Sequence, residues 1–152
     1  MSTAAKPKDL NKQAIIGEAM EKKWNCECRA FAHFSPIDFY CIKDRNLWCV
    51  VEIKGANYTY EEWDNALLNL RKWLALQLAR AGLGCPALFV VGYNDQARWI
   101  DLSDVDGTRI RAYGGKREDR RGPSDGEPLI EIPREQLHYL CDMPKIEVGE
   151  AR

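Results

Sequence analysis

The chain has 152 residues, 45% hydrophobic and 30% charged, with a formal net charge of −1 at pH 7. That length suits one domain with a real core, and the near-neutral charge means that any nucleic-acid site must be local. No run is long enough to span a membrane and the N-terminus lacks a signal-like apolar region, so a cytoplasmic protein with no membrane partner is expected.

Residues 1–8 are polar with one proline and read as a tail; 9–145 read as the domain and 146–152 as a second tail. Asp9 or Asn11 can cap a helix reaching about Lys23, with Ile15, Ile16, Ala19, Met20 and the stem of Lys23 on its apolar face. Glu18 lies at the edge of that face and Glu21 slightly further round. Trp24 to Phe34 reads as a first strand, with Cys26, Cys28 and Ala30 on one side. His33, near its end, is read as a loop or strand-end histidine without a chemical role.

Two further strands follow, around Ser35–Tyr40 and Leu47–Gly55, both rich in β-branched and aromatic residues. Alternation puts Glu52 and Lys54 on one face with Trp48 and Val50, and Leu47, Cys49, Val51 and Ile53 on the other as core. The linker Lys43–Asn46 suits a hairpin. A three-residue loop, Asp44-Arg45-Asn46, sets Lys43 opposite Leu47 and Asp38 opposite Glu52. A two-residue loop shifts the pairing by one and separates the carboxylates. Opposed like charges destabilise a sheet, and a divalent cation between them reverses the sign.

Thr59 and Glu62 have capping-box spacing, which predicts one helix from Thr59 to about Ala81, closed by Gly82. Trp63, Leu67, Leu70, Leu74 and Leu78 form its buried stripe, broadened by Trp73 and Leu76, with Arg71, Lys72 and Arg80 off it. Cys85–Gly92 reads as a strand buried on both faces and Ala97–Leu102 as the next, the helix allowing a parallel crossover. Between Gly107 and Glu127, Arg109, Arg111, Lys116, Arg117, Arg120 and Arg121 lie among glycines. That segment reads either as a loop that follows phosphates or as a solvated loop of no special role. Leu129–Ile132 suits an edge strand, and Pro133 the first turn of a short helix to about Leu140.

The six cysteines form no Cys-x-x-Cys, and the only histidines, His33 and His138, are far apart. The cysteines are read as reduced, mostly core residues, with Cys41 and Cys49 as cross-strand neighbours.

The pattern resembles the PD-(D/E)XK nuclease superfamily, restriction-endonuclease-like and Holliday-junction-resolvase-like. Pro36-Ile37-Asp38 stands for the PD half with one residue inserted, and Glu52-Ile53-Lys54 for the ExK half. The acid-x-Lys half is weak alone, since Glu21-Lys22-Lys23 matches it too; the element order over Gln13–Leu102 carries the likeness. The resemblance implies an α/β fold: a three-layer core with a mixed sheet of about five strands flanked by helices. It implies that Asp38 and Glu52 bind a catalytic metal, that the Ile53 carbonyl adds a ligand, and that Lys54 assists the attacking water. A first-helix glutamate, Glu18 or its rival Glu21, would complete the site. The metal would be Mg²⁺, with Mn²⁺ as substitute, a hard cation that acidifies water and neutralises charge on the phosphate.

Members of this superfamily often place a polar or basic residue early in the long helix at the active site; here Asn57, Tyr60 and Glu61 are the early candidates and none matches. The expected activity is phosphodiester hydrolysis by a DNA endonuclease with structure preference, DNA being favoured over RNA. Related phage and archaeal junction enzymes often dimerise, so a homodimer is compatible with the resemblance. The alternative is a non-catalytic nucleic-acid-binding or scaffolding protein that keeps the fold; a zinc module ranks third.

Overall fold

The computed structural model describes residues 7–32, 35–112 and 127–144. Helix α1 (Pro7–Trp24) opens on a proline, whose fixed φ and missing N–H suit a first turn. Three strands follow: β1 (Glu27–Ala30), β2 (Phe39–Lys43) and β3 (Asn46–Gly55). After them come β4 (Asn65–Asn69), α2 (Leu70–Leu83), β5 (Ala87–Gly92) and β6 (Gln96–Asp101). The chain closes with β7 (Ile110–Arg111), β8 (Leu129–Pro133) and β9 (His138–Asp142).

The main sheet has six strands in the order β1-β2-β3-β5-β6-β9, one more than expected. It is mixed: β3 and β5 run parallel, and every other neighbouring pair is antiparallel. A second sheet, β4-β8-β7, joins α2 on one face. Two cores result. Ile16 and Met20 of α1 pack with Cys41, Cys49, Val51, Ile53, Leu88 and Val90 on one side. Val50, Phe89 and Val91 pack with Leu76 of α2 and with Leu68, Ile130 and Ile132 of the second sheet on the other. The alternation of β3 thus separates two layers.

The β2–β3 hairpin differs from the expected turn but keeps the expected pairing at the motif. Lys43 pairs with Asn46, not Leu47, so the loop is the two residues Asp44-Arg45, both at positive φ (52° and 68°). That is the backbone a tight two-residue hairpin requires. A bulge then follows, because Ile42 pairs with Leu47 but Cys41 pairs with Cys49. Trp48 is the extra residue. The bulge turns it to the α1 side, where its ring meets Trp24 at 5.6 Å, and not to the Val50 side as alternation alone predicts. Beyond the bulge Tyr40 faces Val50 and Phe39 faces Val51, so continuing the ladder sets Asp38 opposite Glu52.

The single helix expected from Thr59 is instead a turn, a strand and a shorter helix. Glu62 does accept from the Thr59 N–H (3.0 Å) and hydroxyl (3.1 Å), but these bonds close an isolated turn. Asn65–Asn69 then pairs antiparallel with β8, and α2 starts after Asn69, whose side chain caps the Arg71 N–H at 2.8 Å. Gly84, at φ 67°, closes the helix, not Gly82. Burial follows the new boundaries. Leu76 is buried, whereas Trp63, Leu74 and Leu78 of the expected stripe are exposed. After Pro133 there is only a 3₁₀ turn (Arg134–Gln136), and His138–Asp142 extends the main sheet against β6. Leu129–Pro133 lies in the middle of its sheet, not at an edge. His33, Lys116, Arg117, Arg120 and Arg121 lie outside the described residues, as do 1–6 and 145–152.

Candidate active site

Strand β2 begins at Phe39, and just before it a side chain extends the ladder. Asp38 Oδ2 accepts the Ile53 N–H at 2.8 Å. This bond fixes the carboxylate beside β3 and leaves Oδ1 for a ligand. The Asp38 carbonyl accepts the Phe31 N–H at 3.0 Å, so the β1–β2 connection is tied to the same point.

Glu52 lies on the α2 face of β3 and is only 7% exposed. Its Oε2 is 3.5 Å from the Lys72 ammonium, while Oε1 is buried without a hydrogen-bond partner. Burial first, and the nearby Asp38 charge second, raise its pKa from 4.5 to about 8, against the opposing pull of Lys72. In this arrangement Glu52 holds a proton at neutral pH. A second positive charge at the pair would release it.

Lys54 is two residues on, and its ammonium donates to the Leu67 carbonyl of β4 at 2.8 Å. Burial lowers its pKa. Among the described residues it forms no ion pair with either carboxylate.

Lys72 is the site residue that the sequence reading missed. It donates to the Pro36 carbonyl at 2.9 Å while facing Glu52, so it joins the Pro-Ile-Asp turn to the Glu-x-Lys strand. In a helix starting at Thr59, Lys72 lies past the early turns. With the start at Leu70 it falls in the first turn. The usable signal was Asn69, a good N-cap immediately before the Leu70-Arg71-Lys72 turn. An open depression of about 500 Å³, lined by Pro36, Asn69, Arg71, Lys72 and Leu74, leads to this corner from solvent.

The structure does not bring the first-helix glutamates to the carboxylate pair. Helix α1 packs on the Ile53 face, opposite Glu52. Glu18 is exposed, about 200° round the helix from buried Ile16. Glu21 accepts the Cys28 N–H at 2.9 Å. The contribution of α1 is Lys12, which is buried and donates to Ala56 O (2.8 Å), Gly92 O (3.1 Å) and Asn94 Oδ1 (3.1 Å). It braces the ends of the parallel pair β3 and β5. Of the expected phosphate contacts, Arg109 is exposed and Arg111 pairs with Glu131 at 2.8 Å.

A family model described as "Phage putative PDDEXK endonuclease" matches residues 3–140. The chain belongs to that family. Asp38 lies just before β2 and Glu52-Ile53-Lys54 along β3, both within the matched span. A solved structure is similar in fold: Hjc from Archaeoglobus fulgidus, a Holliday junction resolvase from an archaeal hyperthermophile. It superimposes with a TM-score of 0.52 over 93% of this chain and 94% of that one, at 13% identity. No curated protein sequence matches the chain.

Proposed function

We propose that this PDDEXK endonuclease is a divalent-cation-dependent deoxyribonuclease that cuts branched DNA. One observation carries the cation: two carboxylates converge, and one keeps a buried oxygen without a partner and an abnormally high proton affinity. Such a pair is unfavourable alone and favourable around positive charge. The donor set is oxygen, which suits Mg²⁺ or Mn²⁺ over softer ions. Asp38 and Glu52 would hold the ion, with the Ile53 carbonyl as a further ligand. Bound there, the ion supplies charge neutralisation to the scissile phosphate. Asp38 is held in place by the Ile53 amide. Lys72 reaches the mouth of the site and can pair with a phosphate oxygen. Lys54, with its pKa lowered by burial, is suited to taking a proton from the attacking water.

Branched DNA is favoured by the likeness to a resolvase fold, and the basic segment beginning at Arg109 is the proposed backbone contact, with Lys116, Arg117, Arg120 and Arg121. A homodimer belongs to the same reading and is tested by sedimentation on and off DNA. The main experiment is cleavage of single strands, duplexes, flaps and four-way junctions with Mg²⁺ or Mn²⁺. Cleavage is expected with the native chain and absent with Asp38→Ala combined with Lys54→Ala. Activity surviving that double change would remove the site assignment. Salt-sensitive binding without cleavage of any substrate would favour a non-catalytic DNA-binding protein.

A further inference from the structure

On the opposite face of the main sheet three cysteines converge, Cys26 and Cys28 two residues apart and Cys41 from the neighbouring strand. Asn25, at φ 51°, turns the chain sharply after α1, and the Cys26 N–H reaches back to the Glu21 carbonyl at 3.4 Å. That turn sets the Cys26 thiol over the end of α1, 3.7 Å from the Met20 carbonyl. Cys28 follows two residues on, so it shares a face with Cys26. Cys28 pairs directly with Cys41 across β1–β2, and Cys41 pairs in turn with Cys49 across β2–β3. The sulfurs of Cys26 and Cys28 are 4.0 Å apart, those of Cys28 and Cys41 are 3.1 Å apart, and all three lie within 4.8 Å of one another.

We infer that Cys26, Cys28 and Cys41 form a thiolate site for a thiophilic metal ion of the Zn²⁺ class. Three arguments support this. The separations bracket the edge of about 3.8 Å that thiolates occupy around a tetrahedral ion with bonds of about 2.3 Å. All three donors are sulfur, which selects Zn²⁺ or Cu⁺ over the hard ions suited to Asp38 and Glu52. Cys26 and Cys28 are half-buried, so an ion has a way in and a fourth ligand, water or Cys49 after a small shift, has room. Binding would displace three thiol protons to solvent as three thiolate–metal bonds form. A disulfide between Cys28 and Cys41 would use two of the sulfurs and leave the third unexplained.

The site would fasten the end of α1 to the β1–β2 edge. It lies across the sheet from the carboxylate pair, so it does not depend on the proposed nuclease chemistry. The test uses the full reduced chain. Titration with Zn²⁺ should give one ion per chain with release of about three protons. Co²⁺ should give thiolate-to-cobalt charge-transfer absorption with the strong visible bands of a tetrahedral centre. Cys26→Ser and Cys28→Ser should each lower Zn²⁺ affinity at least 100-fold, whereas Cys85→Ser combined with Cys141→Ser should leave it unchanged. Cys26 lies at the mouth of the cluster, so Cys26→Ser keeps the variant folded, which circular dichroism verifies. Equal Zn²⁺ binding by the native chain and Cys26→Ser would overturn the inference. So would a cobalt spectrum without thiolate absorption, or a native chain two hydrogens lighter with Cys28 joined to Cys41.

Discussion

Replacing Glu52 by glutamine tests the charge arrangement before any substrate is involved. The folded chain holds the Glu52 proton to about pH 8, against an ordinary 4.5. The folded pKa is the higher one. The protonated group therefore contributes stability fully below about pH 4.5, and that contribution is lost as pH rises toward 8. Linkage over pH 5 to 7.5 gives a loss of about 3 kcal/mol attributable to this group. Glu52→Gln has no such proton, and the other ionisable groups titrate in both chains and cancel. In chelator, the native chain should thus lose about 3 kcal/mol relative to Glu52→Gln across that window. Urea unfolding followed by tryptophan fluorescence at each pH reads it as diverging midpoints. Adding Mn²⁺ or Mg²⁺ should flatten the native profile, because an ion on ionised Glu52 offsets the cost, and should leave Glu52→Gln unmoved. The variant should also fail to cleave DNA, gaining stability as it loses activity. Profiles that stay parallel within about 1 kcal/mol would show that Glu52 is not held in the way the raised pKa describes.

Lys72→Ala should lower kcat/KM about 10- to 100-fold and shift the pH–rate profile to higher pH, since Glu52 loses its cationic neighbour; Lys72→Arg should recover part of both. An unchanged profile would confine Lys72 to holding Pro36. Arg45→Gly should stabilise the chain by about 0.5–1 kcal/mol by relieving a left-handed non-glycine residue, and a loss of stability in urea unfolding would contradict the two-residue turn. Lys12→Met should destabilise by about 2–4 kcal/mol, because Ala56 O, Asn94 Oδ1 and Gly92 O lose the ammonium, Gly92 O keeping the Ala56 N–H. A cost below about 1 kcal/mol would mean that water replaces the ammonium there.

Most of the element order was legible because burial imposes it. Ala87–Gly92 is apolar throughout and is buried on both faces. Ile16 and Met20 recur at helical spacing and are fully buried. The boundary of α2 was not legible, for a physical reason. Leu67, Leu70, Leu74 and Leu78 keep helical spacing straight through the end of a strand, and what makes Asn65–Asn69 extended is its pairing with Leu129–Pro133, some 60 residues downstream. Local periodicity carries no trace of that partner. The same misplacement hid Lys72. The cysteines were read by their spacing along the chain, but Cys28 and Cys41 meet across strands, where spacing is silent.

The register beside the motif does not depend on the length of the turn. The expected three-residue loop gave one extra residue on the β3 side of the hairpin; the observed two-residue loop removes it, and the bulge at Trp48 restores it. The agreement follows from burial. Cys49, Val51 and Ile53 have to face α1, and Val50 has to face α2, so a one-residue slip near the motif would invert the whole of β3. The turn is free to change only if a bulge compensates before the buried stretch begins. Trp48 lies at that limit, packed against Trp24 at the outer end of the core. The register that sets Asp38 against Glu52 is thus fixed by the hydrophobic layers on either side of the sheet. The same layers force Glu52 into a dry site beside another carboxylate, an arrangement that the fold tolerates and a cation would stabilise.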